Sequence, residues 1–287
     1  MINLKIIQFK PEHKNLEGNF NTIKNHILKI NKIEDDFYNN SSNNYNSKTD
    51  IILFPEMALS GYFFEDKNEL KKYAISKDSD KINELQQLAT KLNLVIIFGF
   101  AELDGNMLFN SSISISPNPI ETKIYRKSHL FYKENLVFDK YISNTNDKTI
   151  NFIPKYISHL DLHIGQIICY DWRFPEITLQ YALNGCDLII CPANLVTKVW
   201  KNSLPARALD NRVFFALSNR IGTEKINDEE LYFTGCSSFY DTNGNLLAQL
   251  AEEESGELNI SFEHILARDK TINKYNNIFV DRRIDLY

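Results

Sequence analysis

GQIICYDWRFPE, residues 165–176, is the stretch on which the fold of this chain turns. Ile167 and Ile168 read as the end of a buried strand, the pattern breaks at Cys169, and Pro175 opens a helix, where its missing N–H is harmless in the first turn. Ile177, Leu179, Tyr181, Ala182 and Leu183 carry that helix to a stop at Gly185. Cys169 is thereby predicted at the carboxyl end of a strand, the edge where open α/β sheets bind ligands. Free cysteine is also among the most buried residue types and packs as a small hydrophobe. Position alone therefore leaves two readings of Cys169, nucleophile and core.

Outward from this stretch, strands and helices alternate. The opening strand LKIIQF leads into a helix on which Phe20, Ile23, Ile27 and Ile30 repeat at helical spacing. The Asn/Ser-rich segment EDDFYNNSSNNYNSKTD, residues 34–50, is expected to be a mobile loop. Strand DIILFP ends at Glu56, a helix carries Ile82, Leu85, Ala89 and Leu92, and the continuous apolar run LVIIFGF at 94–100 predicts a strand buried on both faces. SISIS at 112–116 alternates instead. HIGQII, the helix after Cys169 and DLIIC at 187–191 add further units of the same kind, which is the signature of an α/β fold. Residues 204–213 read as a helix, and GCSSFYDTNGNLLAQL reads as a hairpin turning on Asn243 and Gly244. After the strand ELNISF, the tail at about 275–287 combines apolar residues with Arg and is expected to pack on its own domain or on a partner subunit. The mixture of continuous and alternating strands suggests two stacked mixed sheets with helices outside, but the pattern does not separate this from one doubly wound sheet. A single domain over 1–287 is the simpler reading of the length.

Composition narrows the function. With 43% hydrophobic and 24% charged residues and a formal charge of −5, the chain is an ordinary globular one, and its basic residues are dispersed among acids rather than set in a phosphate-tracking block. No nucleic-acid partner is expected. The start, MINLKIIQFKPEHK, lacks a signal-peptide core, and LVIIFGFA at 94–101 is too short to span a bilayer, so a cytoplasmic protein without a membrane partner is expected. The four cysteines, Cys169, Cys186, Cys191 and Cys236, form no CxxC pair and are read as reduced thiols. His159 and His163 would share a strand face, with no third ligand nearby to make a metal site. No two of the ten glycines lie two, four or five positions apart, which removes GxGxxG, GxSxG and GxxxxGK, and HExxH is absent as well. Side chains must then supply any reactive group.

Three further residues carry chemistry. Glu56 follows an apolar strand and Pro55, so its carboxylate is placed at a sheet edge, partly desolvated, as a base would be; such a glutamate is also a common helix-start charge. Lys127 sits among apolar residues in YRKSHLFYKENLVF, with Glu134 seven positions on, although a lone lysine is usually a solvated charge. Each signal is weak alone.

Together, FPE with GY (54–62), RKSHLF with Glu134, and CYDWRFPE (169–176) resemble the three signature blocks of the nitrilase superfamily of carbon-nitrogen hydrolases. GCDLIICPAN, ARALDNRVFFALSNRIG, FTGCSSFYDTNGNLL and the terminal DRRIDLY are similar too, so the resemblance spans nearly the whole chain; the Asn-rich segment is its main departure. The resemblance implies a four-layer αββα sandwich of two mixed sheets with outer helices. It also implies a Glu56, Lys127, Cys169 triad with Glu134 as a second glutamate, and no metal or organic cofactor. In that chemistry Glu56 takes the thiol proton, Cys169 attacks an amide carbon, and Lys127 with the Tyr170 N–H holds the oxyanion. Arg173, four after the thiol, could fork onto a substrate carboxylate or form an internal salt bridge, and Asn194 could add an amide contact. Glu176 is read as a helix-start charge, and Cys186, Cys191 and Cys236 as packing. The expectation is an amidase for a small linear amide, of the ω-amidase kind, releasing ammonia through a thioester. The alternatives are an N-carbamoyl amide hydrolase, a nitrilase or a non-catalytic binding relative, and a homodimer is expected by resemblance.

Overall fold

Several strands of this chain are apolar on successive residues, not only on alternate ones, because each is covered on both faces. The computed structural model describes residues 1–39, 48–142 and 152–286, the side chains of 31–39 aside. In the first half, β1 (Ile2–Gln8) leads to α1 (Leu16–Asn39), β2 (Ile51–Leu53), α2 (Lys67–Lys71), α3 (Asp80–Leu92), β3 (Val95–Asp104), β4 (Met107–Ile115), β5 (Lys123–Arg126) and α4 (Glu134–Val137). In the second, β6 (Lys155–Ile157) and β7 (Leu162–Gln166) precede α5 (Pro175–Leu183), β8 (Leu188–Ala193), α6 (Leu204–Asn211) and β9 (Phe214–Asn219). Then come the hairpin β10 (Ile221–Ile226) and β11 (Glu229–Thr234), followed by β12 (Ser238–Tyr240), β13 (Leu246–Gln249) and β14 (Gly256–Phe262). A short ribbon, β15 (Thr271–Asn273) and β16 (Asn276–Asn277), closes the order.

Two six-stranded mixed sheets result, ordered β14-β1-β2-β3-β4-β5 and β13-β12-β9-β8-β7-β6. Each has a parallel centre, β1, β2 and β3 in one and β7, β8 and β9 in the other, with antiparallel strands outside. Side-chain alternation then sorts the strands by face. Leu4, Ile6, Ile51, Leu53, Val95 and Ile97 meet Ile164, Leu188, Ile190 and Phe214 between the sheets. The intervening Ile7, Ile52, Phe54, Ile96 and Phe98 pack instead under α1 and α3, against Phe20, Ile23, Ile27, Ile82 and Leu85. On the far side Ile189, Cys191, Phe215 and Leu217 lie under α5 and α6. Burying each such Leu or Ile stabilises the fold by roughly 1.5–3 kcal/mol, and the three cores together make four αββα layers, not one doubly wound sheet.

Several expectations change. Helix α1 runs to Asn39, into the segment read as a loop from residue 34, and residues 40–47 lie outside the described ones. The serines of SISIS are buried: Ser112 donates to Gln166 Oε1 at 3.1 Å and Ser114 accepts from Gln166 Nε2 at 3.3 Å. Alternation there marks a polar seam between sheets, not a solvent face. His159 lies in a 3-10 turn, Ser158–Leu160, that ends on Asp161 at φ 50°, so it does not share a strand with His163. In the tail, Phe279 packs on the core beneath α5 and α6, while Val280, Ile284 and Leu286 stay exposed. Among the described residues no helix is long and apolar enough to cross a membrane.

Candidate active site

Glu56 is placed by backbone contact with β3. Beyond the end of β2, Phe54 N–H donates to Ile97 O at 2.8 Å, Gly99 N–H to Pro55 O at 3.0 Å and Ala58 N–H to Gly99 O at 2.8 Å. Met57 takes φ 50°, turning the chain just after Glu56, which is fully buried. The approach is possible because residue 99 has no side chain: a Cβ there would stand 2.5 Å from Glu56 Cα and 2.9 Å from Met57 N. Both neighbours are backbone and have no rotamer to yield. Gly99→Ala is therefore expected to destabilise the protein by about 1–3 kcal/mol and to lower turnover steeply by displacing Glu56. Thermal melting with an amide-hydrolysis assay checks this, and a variant equal to the parent in both would contradict it.

Lys127 follows β5, its N–H donating to Asn110 O on β4 at 2.8 Å. Glu134 opens α4, where Oε2 accepts the Phe131 N–H at 2.9 Å. Cys169 begins a 3-10 turn, Cys169–Arg173, at φ 44°. The left-handed region costs a residue with a Cβ roughly 1–2 kcal/mol, so the surrounding structure must hold it. Asp171 does so. Its carboxylate accepts Ile168 N–H at 3.1 Å, Tyr125 OH at 2.8 Å and His129 N–H at 2.9 Å, and lies 2.8 Å from His129 Nδ1. The thiol's turn and the segment around Lys127 are thus tied to one buried anion. Tyr170 is in the first turn of that short helix, where an N–H has no intrahelical acceptor.

The four predicted side chains come together. Lys127 Nζ lies 2.7 Å from Glu56 Oε1 and 2.7 Å from Glu134 Oε1, with all three side chains buried. Burial disfavours the ammonium, but the Glu134 and Glu56 carboxylates outweigh it and hold Lys127 charged well above the usual lysine range. Burial pushes the Glu134 carboxyl up, against the pull of Lys127 and with the like charge of Glu56. Burial and the Glu56 charge also push the Cys169 thiol well up, while Lys127 and a hydrogen bond from the Asn194 backbone oppose this. The thiol is therefore neutral at rest beside a carboxylate whose Oε2 is buried without a partner. Such a set can take a proton from sulfur as it attacks and can hold negative charge developing on the attacked group.

Cys169 is also where this cluster meets open space, a cavity of about 210 Å³ lined by Cys169, Tyr170, Arg173 and Asn194 with Phe131 and Trp172 among the apolar residues. Arg173 is exposed at its edge, its guanidinium carbon 5.6 Å from the Trp172 ring centroid. Among the described residues no carboxylate forms a salt bridge with it, which removes the internal-salt-bridge reading. Asn194 is 2% exposed, and neither polar atom of its side chain has a partner. Cys186, Cys191 and Cys236 are free and buried, in the core beneath α5 and α6.

Two residues of the site escaped the sequence reading. Asn110 Nδ2 donates to Glu56 Oε1 at 2.7 Å and stands 3.3 Å from Glu134 Oε1. Asparagine is depleted in strands, so its place in a buried strand was the available signal. Tyr62, in the quoted GY pair, hydrogen-bonds Glu134, and burial with the Glu134 and Glu56 charges pushes its phenol well above the ordinary range. Its backbone is held from the other side: Glu224, paired with a fully buried Arg220, accepts Tyr62 N–H at 2.9 Å and Phe63 N–H at 2.7 Å.

The chain is similar to known proteins over most of its length. The sequence profile of the family described as Carbon-nitrogen hydrolase matches residues 4–265. A nitrilase of Pyrococcus abyssi is 32% identical over 238 residues, covering 83% of this chain and 86% of its own. An N-carbamoylputrescine amidase of Solanum lycopersicum is 30% identical over 259 residues, with 83% and 82% covered. Among solved structures, an amidase from Nesterenkonia sp. superposes with a TM-score of 0.75 at 18% identity, covering 99% of this chain and 94% of that one, and so shares the fold.

Proposed function

The chain belongs to the carbon-nitrogen hydrolase family, and from that premise we propose that it hydrolyses small linear amides bearing a carboxylate, releasing ammonia through a Cys169 thioester. The observation that carries the reading is the buried Glu56–Lys127–Glu134 cluster acting on a thiol at the wall of a cavity edged by Arg173. Glu56 takes the thiol proton as sulfur adds to the amide carbon. The oxyanion is stabilised by the Lys127 ammonium and the Tyr170 N–H. Collapse breaks the C–N bond, and Glu56 returns the proton to the departing nitrogen as ammonia. Glu56 then removes a proton from water attacking the thioester, and a second tetrahedral oxyanion collapses to the carboxylic acid as Glu56 returns that proton to the departing sulfur, restoring the free thiol. Glu134 keeps Lys127 charged and in place.

Arg173 supports the carboxylate. An unpaired guanidinium at the cavity edge matches a planar anion, and a charge-assisted contact is worth about 1.5–3 kcal/mol. Arg173→Leu is expected to raise KM for succinamate by about 10–100-fold, with propionamide unaffected. Equal loss on both amides would remove Arg173 from substrate recognition. The reaction itself is tested by ammonia release from succinamate, propionamide, a carbamoyl amino acid and a simple nitrile. Amides are expected to turn over first, and release from the nitrile or the ureido compound alone would replace the amide reading.

A further inference from the structure

Lys127 is one cation held against two buried carboxylates, whose like charges repel each other across it. The geometry shows what opposes this. Lys127 Nζ, Glu56 Oε1, Asn110 Nδ2 and Glu134 Oε1 form a closed ring of alternating donors and acceptors, with sides of 2.7, 2.7, 3.3 and 2.7 Å. The Asn110 amide carries two N–H groups, one for each carboxylate, and faces the ammonium across the pair. Its backbone carbonyl accepts the Lys127 N–H at 2.8 Å, so the same residue also fixes the strand end from which the lysine projects. Asn110 is 1% exposed, and Glu56 Oε2 is left as a buried acceptor with no partner.

We propose that Asn110 is a positioning residue: its carboxamide holds Glu56 and Glu134 side by side on one ammonium and keeps Glu56 Oε2 free and aimed for proton transfer. This rests on Glu56 being the base of the proposed reaction. Aspartate at 110 would exchange the bridging donor for a third negative charge, and alanine would leave Glu56 Oε1 on Lys127 alone, free to turn. Removing a donor to a carboxylate disfavours its ionised form, so the acid limb of the rate profile moves to higher pH. The substrate contacts, made at the cavity wall by other residues, are untouched.

The test compares Asn110→Ala and Asn110→Asp with the parent, by kcat and KM on succinamate across pH and by the pH profile of Cys169 alkylation with iodoacetamide, read by peptide mass. Asn110→Ala is expected to lower kcat by about 10–100-fold, the cost of a misaligned group, with KM within about twofold and both acid limbs raised by about one pH unit. Asn110→Asp is expected to lose more. A parental kcat and profile in Asn110→Ala, or a change confined to KM, overturns the inference. If the parent releases no ammonia from succinamate, the proposed reaction has failed instead, and the alkylation profile still decides Asn110: an unshifted profile in Asn110→Ala refutes it. Should that variant not fold, Asn110→Ser, which keeps one donor, carries the same comparison.

Discussion

Cys169→Ala is expected to abolish ammonia release, by at least about 10⁴-fold as for loss of other enzymic nucleophiles, while the protein folds as before. The two halves of this expectation have separate causes. The sulfur is the only atom lost, and it is the atom on which the thioester forms; no neighbouring side chain can substitute, since Cys191 is fully buried in the core with its thiol also pushed well up. Stability is spared because the thiol is neutral at rest, so its removal leaves no unpaired charge, and because alanine meets the same cost at φ 44° that cysteine already meets. The melting temperature is expected within a few degrees of the parent, a change on the order of 1 kcal/mol. Undiminished ammonia release would remove Cys169 from the mechanism, and a collapsed melting transition would return it to the role of a core residue.

Lys127→Met is expected to be the more damaging change to the fold. Methionine fills much of the same volume but leaves Glu56 and Glu134 buried together with no cation, and breaking a buried pair in this way costs about 3–5 kcal/mol. The deficit depends on pH. Glu134 is already pushed up by burial, and loss of Lys127 removes the charge that opposes this, so the folded variant holds a proton that the unfolded chain has released. A group with a raised folded-state pKa lends stability at low pH that is lost as pH rises through that value. The variant is therefore expected to lie closest to the parent near pH 5 and to fall away toward pH 8, as urea melts at the two values would show. Turnover is expected to vanish with the oxyanion's cation. Equal deficits at both pH values would contradict this electrostatic account.

The sequence foresaw what depends on local order and missed what depends on contacts between distant segments. The strand ending before Cys169, the Pro175 helix and the hairpin turn each follow from a few adjacent residues, and the structure contains them, although in the turn Gly244 alone takes a positive φ, 76°. Successive apolar residues in β3 announced burial on both faces, but only the sorting of alternate side chains, as of Ile6 toward the second sheet and Ile7 toward α1, distinguishes a double sheet from a single one. Asn110 and Glu56 are 54 positions apart, and Asp171 meets Tyr125 and His129 across 46 and 42. No periodicity carries such distances. The left-handed backbone at Met57 and Cys169, which places Glu56 and the thiol, is likewise imposed by surroundings and runs against the preference of the residues that adopt it. Family resemblance bridged part of that gap by grouping Glu56, Lys127, Glu134 and Cys169, yet it left Asn110 and Tyr62 unmarked.

The central claim is that Cys169 accepts the acyl group. Its most direct test is acid-quench peptide mass spectrometry of the parent protein turning over succinamate. The expected result is an adduct on the peptide carrying Cys169, with the mass of the substrate less ammonia, that disappears when substrate is exhausted. Ammonia release with every cysteine peptide unmodified throughout, or with the adduct on another residue, would contradict it.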